Sequence, residues 1–188
     1  MTSTGRRAQF FPDVTPRLPT SSSPRAPLRA LQTRDIDMNE IKRLVWHDVA
    51  PDGAKVLYGI HRYLTTATNL PEEMLHLVFL RVSQINGCAH CIDLHTRDLL
   101  KTMAPDKVTL VPVWAEVPHL FSDQYRAALA WAEEVTLLSE THASDSAYAA
   151  VAAVFDPKDL VDLTISIAAM NAFNRLGAPF RLPVKARP

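Results

Sequence analysis

Cys88 and Cys91 are the chain's two cysteines, three residues apart in the stretch Gln84-Ile85-Asn86-Gly87-Cys88-Ala89-His90-Cys91-Ile92-Asp93-Leu94-His95. If a helix begins at the first cysteine, both thiols fall on one side of its opening turn, within reach of a disulfide. Backbone amides at a helix N-terminus stabilise a thiolate and lower its pKa, and the thiolate is the form that attacks peroxides and disulfides. His95 lies four residues beyond Cys91, which turns it back onto the same helix face. There it can assist the proton transfer that makes Cys91 nucleophilic. The chemistry this spacing points to is a dithiol–disulfide cycle.

Other readings use the same residues. Free cysteines are often buried as small, inert apolar side chains. Cys88, Cys91 and His95 also form three plausible zinc ligands, but a structural zinc site takes four, and no second cysteine pair or suitably spaced histidine pair completes the set. No metal and no cofactor are therefore expected. His90 reads as a helix-surface residue. Two cysteines this close cannot staple distant parts of a fold, and small secreted domains scatter several along their length, so a cytoplasmic, reducing setting is expected.

The elements that must hold these residues read as helices throughout. From Asp48 onward the apolar spacing is three and four residues, without sustained alternation, which predicts an all-α fold of about six core helices. The first is expected near 51–67. The second is expected near 71–85, with Pro71 at its first position and Glu72 and Glu73 at the positive end of the dipole. Gly87 breaks that helix, and a third runs from about Cys88 to Met103, so that the cysteines sit on a helical hairpin. A loop rich in Val, Pro and Trp leads to Ser122, the N-cap of a fourth helix reaching about Leu138. The fifth is expected over about Ser144–Phe155. The sixth follows the Asp156-Pro157 cap to about Leu176, with Gly177 as its stop. This last helix is apolar nearly all round, which suits a buried position and a homo-oligomer whose neighbouring subunits cover part of it.

Residues 1–35 carry five prolines, the run Ser21-Ser22-Ser23 and six arginines, and read as a disordered tail ahead of one domain over 36–188. Met38 would make an ordinary start for that domain. Twenty acidic residues balance twenty basic ones, so no field of one sign is available for nucleic acid or an anionic membrane surface. No apolar run approaches the roughly 18–20 residues of a membrane span. Trp114 and Trp131 read as core. Asn171, Asn174 and Arg175 read as satisfying backbone groups or pairing across subunits.

Beyond these derivations, the chain resembles the carboxymuconolactone decarboxylase and alkylhydroperoxidase D superfamily, in its peroxidase-like branch. The likeness is carried by Leu80-Arg81-Val82-Ser83-Gln84-Ile85-Asn86-Gly87-Cys88, by Cys91-Ile92-Asp93-Leu94-His95-Thr96, by Phe121-Ser122-Asp123 with Ala127-Ala128-Leu129-Ala130-Trp131, and by Ile167 to Leu176. It implies that Cys91 is the thiol attacking a small-molecule peroxide, that Cys88 resolves the sulfenic acid to a disulfide, and that His95 belongs to the proton relay. It further implies re-reduction by a dithiol or lipoyl-type protein, and a trimer or hexamer. In one position the chain departs from the pattern: His76 stands where related peroxidases carry a glutamate, twelve residues before the first cysteine. Either His76 replaces that glutamate as the base, with Glu72 or Glu73 as its partner, or the peroxidase chemistry is altered. The rival functions are general thiol–disulfide exchange or redox sensing, a non-catalytic interaction protein with inert thiols, and lactone decarboxylation, which needs no cysteine pair.

Overall fold

The computed structural model describes residues 43–184. The expected tail at 1–35 lies outside them. Among the described residues there is no strand, and nine α-helical segments follow one another: α1 Trp46–Val49, α2 Pro51–Thr66, α3 Glu72–Asn86, α4 Ala89–Leu99, α5 Pro105–Leu110, α6 Asp123–Thr136, α7 Leu138–Thr141, α8 Asp145–Ala152 and α9 Pro157–Gly177. The six expected helices are α2, α3, α4, α6, α8 and α9, and α1, α5 and α7 are short additions.

Capping sets these boundaries. Ser122, Ser144 and Asp156 each accept a backbone N–H three residues on, from Tyr125, Ala147 and Asp159, so α6, α8 and α9 start where side-chain oxygens satisfy free amides. Pro71 is the residue before α3 rather than its first member, with extended ψ of 138°. Its carbonyl still accepts from the Leu75 amide. The stretch read as a loop between Met103 and Ser122 is instead α5 followed by two 3-10 turns, Val111–Glu116 and Pro118–Leu120. Its prolines break periodicity in the sequence, yet each stands in the opening turn of a short helix, where a missing N–H costs nothing. Glu133 ties the stretch down, accepting from both Arg81 Nε and Trp114 Nε1 at 2.7 Å.

The core forms around α3, whose Met74, Leu75, Leu77, Val78, Phe79, Leu80 and Val82 are all buried. One cluster of apolar side chains joins α3 to α6, α8 and α9 and takes in both cysteines. A second joins the other side of α3 to Leu99, Met103, Val108, Val111 and Phe121. Each fully buried Leu or Phe stabilises by about 1.5–3 kcal/mol relative to exposure, which makes α3 the rigid element on which the cysteine segment is mounted. A polar cross-link, Tyr63 Oη donating to buried Asp162 at 2.8 Å, holds α2 against α9. No helix among the described residues is long and apolar enough to cross a membrane.

Candidate active site

Gly87 ends α3 in the left-handed region, with φ of 66°. The Cys88 amide then reaches back to the Ser83 carbonyl at 3.0 Å, a closure that reverses the chain within one residue. Cys88 becomes the N-cap of α4 and Cys91 its third residue, so the third expected helix begins one residue later than the first cysteine. It also ends at Leu99, short of Met103. Both thiols are free and buried, with their sulfurs 2.7 Å apart.

Their environments differ. The Cys88 thiol is lowered to about 6, chiefly because Cys91 donates to it; burial opposes the shift, while the Cys91 backbone amide and the Asn174 side chain support it. The Cys91 thiol is raised because it donates to Cys88 and because it is buried. The first proton lost from the pair therefore leaves the thiolate favoured on Cys88 and the remaining proton on Cys91. Access runs the other way. Cys91 lines a cavity of about 260 Å³ with Trp46, Tyr58, His95, Met170 and Phe173, and the lining does not include Cys88. Access outranks charge in choosing the attacking sulfur, because an external reactant has to touch it, whereas a proton moves readily between sulfurs this close.

His95 is 3% exposed, and its ring packs against Phe79 with centroids 5.1 Å apart. Burial first, then the neighbouring His76, pushes its pKa down to about 3, so the imidazole is neutral. Its Nδ1 lies 3.3 Å from His76 Nδ1, one donating and the other accepting. His76 in turn approaches Glu72 through Nε2 at 3.5 Å and Asp98 through Nδ1 at 3.8 Å. Of the two glutamates expected to partner His76, Glu72 does so and Glu73 instead accepts from Tyr125 Oη at 2.8 Å. Cys91 and His95 line the same cavity, and His95 meets His76, which lines a small outer cleft with Glu72, Asp98 and Lys101.

Sequence reasoning missed four participants. Asp98, one turn past His95, closes the histidine pair from the side. Its carboxyl sits below the ordinary range: burial alone would raise it, but the Lys101 hydrogen bond and the adjoining His76 prevail. His61 lines the cavity, and its pKa is lowered by burial and by His76. Asn174, read as structural, is 1% exposed and spans Ser83 and Asn86 of α3 at 3.0 Å each, which sets its amide beside the thiols. Gly177 belongs to α9 as its last residue rather than stopping it. A Cβ there would stand 2.8 Å from Cys88 Sγ and 3.5 Å from Cys91 Sγ. Cys88, Cys91 and His95, weighed as zinc ligands and set aside, are not the residues whose ligand atoms cluster. Among the described residues the clustered metal-ligating atoms belong to His76, His95 and Asp98. His90 hydrogen-bonds the Pro183 carbonyl at 2.8 Å from the cavity rim, and Trp131 and Trp114 each donate to a partner, as core indoles do.

The Gly177 contact makes a prediction. Gly177→Ala gains up to about 1 kcal/mol of helix propensity, but overpacking against a sulfur held by its own cap costs about 1–3 kcal/mol. The variant is expected to be less stable in urea unfolding and to form the Cys88–Cys91 disulfide more slowly than the parent. Parent-like values in both would mean that α9 yields freely at its end.

Residues 51–134 match the model of the carboxymuconolactone decarboxylase family. The Bacillus subtilis protein YdfG, itself uncharacterized, is 32% identical over 136 residues, covering 72% of this chain and 91% of that protein. The chain belongs to the carboxymuconolactone decarboxylase family. A family-like solved structure from Agrobacterium tumefaciens, a protein of unknown function suggested to be the antioxidant defence protein AhpD, superposes with a TM-score of 0.74 at 31% identity, covering 78% of this chain and 99% of that one. The debrominase Bmp8 shares the fold, with a TM-score of 0.63 at 19% identity over 74% of each chain. Within the family's AhpD-like fold, the helical hairpin α3–α4 carries the cysteine pair as expected.

Proposed function

We propose that this protein is a thiol peroxidase that reduces apolar organic hydroperoxides through a Cys88–Cys91 dithiol–disulfide cycle. The observation that carries the reading is Cys91 opening onto an apolar cavity while hydrogen-bonded to a second thiol and followed on the same wall by His95. Cys91 passes its proton toward His95 and attacks the terminal peroxide oxygen. The O–O bond breaks, the relayed proton is returned to the departing alkoxide so that the alcohol leaves, and Cys91 becomes a sulfenic acid. Cys88 then attacks that sulfur, forming the disulfide and releasing water. A dithiol or lipoyl-type reductant restores both thiols by exchange and is itself left as a disulfide.

His95 is suited to relaying a proton rather than keeping it, because a charged imidazole in its buried position is unfavourable. With Nδ1 engaged by His76, Nε2 remains for the cavity side. A proton taken there is matched by one shared with His76, in the place of the family glutamate and beside Glu72 and Asp98, and it returns by the same nitrogens when the alkoxide departs. Trp46, Tyr58, Leu94, Met170 and Phe173 favour an organic group on the peroxide over hydrogen peroxide itself. The same lining includes no lysine or arginine among the described residues to hold a carboxylate, which weighs against lactone decarboxylation.

The test is intact mass spectrometry before and after one equivalent of an organic hydroperoxide. A loss of the mass of two hydrogens, reversed by a dithiol, is expected; an unchanged mass overturns the reading. The lowered Cys88 thiol beside Cys91 favours a second one, general thiol–disulfide exchange. Oxidation by a small disulfide that outpaces oxidation by the hydroperoxide would select it.

A further inference from the structure

We infer that His76, His95 and Asp98 form a binding site for a divalent transition-metal ion of the zinc class, separate from the cysteines. One ligand atom from each of the three lies within 4.8 Å of the others. The two Nδ1 atoms are 3.3 Å apart. Two nitrogen ligands at ~2.0–2.1 Å from a tetrahedral ion are separated by about 3.3–3.4 Å, so the imidazoles already stand at the edge such an ion requires. Asp98 Oδ2 lies 3.8 Å from His76 Nδ1, and with the three ligand atoms within 4.8 Å of one another this carboxylate has to draw inward to close the third corner. Two histidines and one carboxylate leave a fourth position for water or an anion.

The surroundings fit the same assignment. Glu72 Oε1 faces His76 Nε2 at 3.5 Å, the carboxylate–histidine arrangement that orients a metal-bound imidazole. Phe79 packs edge-on to the His76 ring and at a tilt to the His95 ring, which fixes both planes. The cleft of about 90 Å³ lined by Glu72, His76 and Asp98 gives an ion a way in from solvent without passing the thiols. One group opposes: Lys101 Nζ holds the other oxygen of Asp98 at 2.6 Å and brings a positive charge next to the site.

Coordination at both Nδ1 atoms requires each imidazole to carry its proton on Nε2. His95 then offers the cavity an N–H donor and no acceptor. Metal binding and proton transfer from Cys91 are thus mutually exclusive uses of one imidazole, and this consequence, unlike the binding itself, rests on the peroxidase reading above.

Because a dithiol binds zinc on its own, the test uses the Cys88→Ser/Cys91→Ser protein, stripped with a chelator and titrated calorimetrically with zinc chloride. One ion per chain is expected. His76→Gln and Asp98→Asn should each weaken binding at least tenfold, and Lys101→Met should tighten it. Thermal unfolding with and without zinc keeps the variants interpretable: zinc raises the Tm of the parent and not that of a folded variant that has lost the site. Absence of stoichiometric binding, or equal binding by parent, His76→Gln and Asp98→Asn, overturns the assignment. The hydroperoxide mass experiment is run on the wild-type protein in chelator, so either result can fail while the other stands.

Discussion

Cys91→Ser protein is expected to consume no organic hydroperoxide, whereas Cys88→Ser protein is expected to react once and stop. The difference follows from where the two sulfurs lie. Cys91 lines the cavity, and Cys88, fully buried behind it against Gly177, does not. Removing the attacking sulfur leaves nothing for the peroxide to meet, so the rate should fall to that of the buffer. Removing the resolving sulfur leaves the first step in place but also takes away the hydrogen-bond partner of the Cys91 thiol. The single oxidation should therefore be slower than in the parent, and it should end in a sulfenic acid trapped by a dimedone-type probe and seen by mass. Probe captured by the Cys91→Ser protein, and not by Cys88→Ser, would reverse the roles and show that charge rather than access selects the sulfur.

His76→Ala is expected to slow the single-turnover reaction by at least about 100-fold, within the range of roughly 100 to 10,000 typical of positioned acid–base groups. His95 is buried, so a proton arriving from Cys91 has to be shared until the departing alkoxide takes it, and His76 Nδ1 lies 3.3 Å from His95 Nδ1 to share it. Truncation removes that partner and leaves a hole beside Phe79. His76→Gln separates the two effects, since it retains bulk and a hydrogen bond but cannot take up the proton. It should stay as slow as alanine while melting nearer the parent. His76→Glu, which restores the residue that related peroxidases carry here, should recover much of the rate. All four proteins are compared in chelator, so that metal plays no part. A parent-like rate in a well-folded His76→Ala protein would mean that the proton is not shared with His76.

The parts of the molecule that the sequence discloses are the parts built from near neighbours. Ser122 and Asp156-Pro157 announce helix starts because capping is local chemistry, and Cys88, Cys91 and His95 share a face because three- and four-residue spacing does so on any helix. Asp98 lies within reach of the same argument, three residues past His95, but an acidic residue near the end of an amphipathic helix carries no local signal that separates it from a solvated one. The His76–His95 contact crosses the hairpin, and only the family resemblance drew His76 into the site. Asn174 and Gly177 had no such signal: they meet the thiols because α9 packs across α3, a distance in sequence that no local pattern encodes. The turns over 105–120 were hidden for a different reason, since proline suppresses helical periodicity even where it sits comfortably in a first turn.

The hairpin α3–α4 closes through one left-handed glycine, with its contacts between residues near in sequence, whereas the wall formed by α9 arrives from the far end of the chain. Local contacts form early and distant ones late in folding. The expected order in synthesis and refolding is that the dithiol and its imidazole come together before the helix that buries them docks. In such an interval both sulfurs would face solvent, open to oxidation by any passing oxidant and to metal capture. A chain refolded in air should accordingly mature with its disulfide already closed, and a chain refolded under a reductant should not.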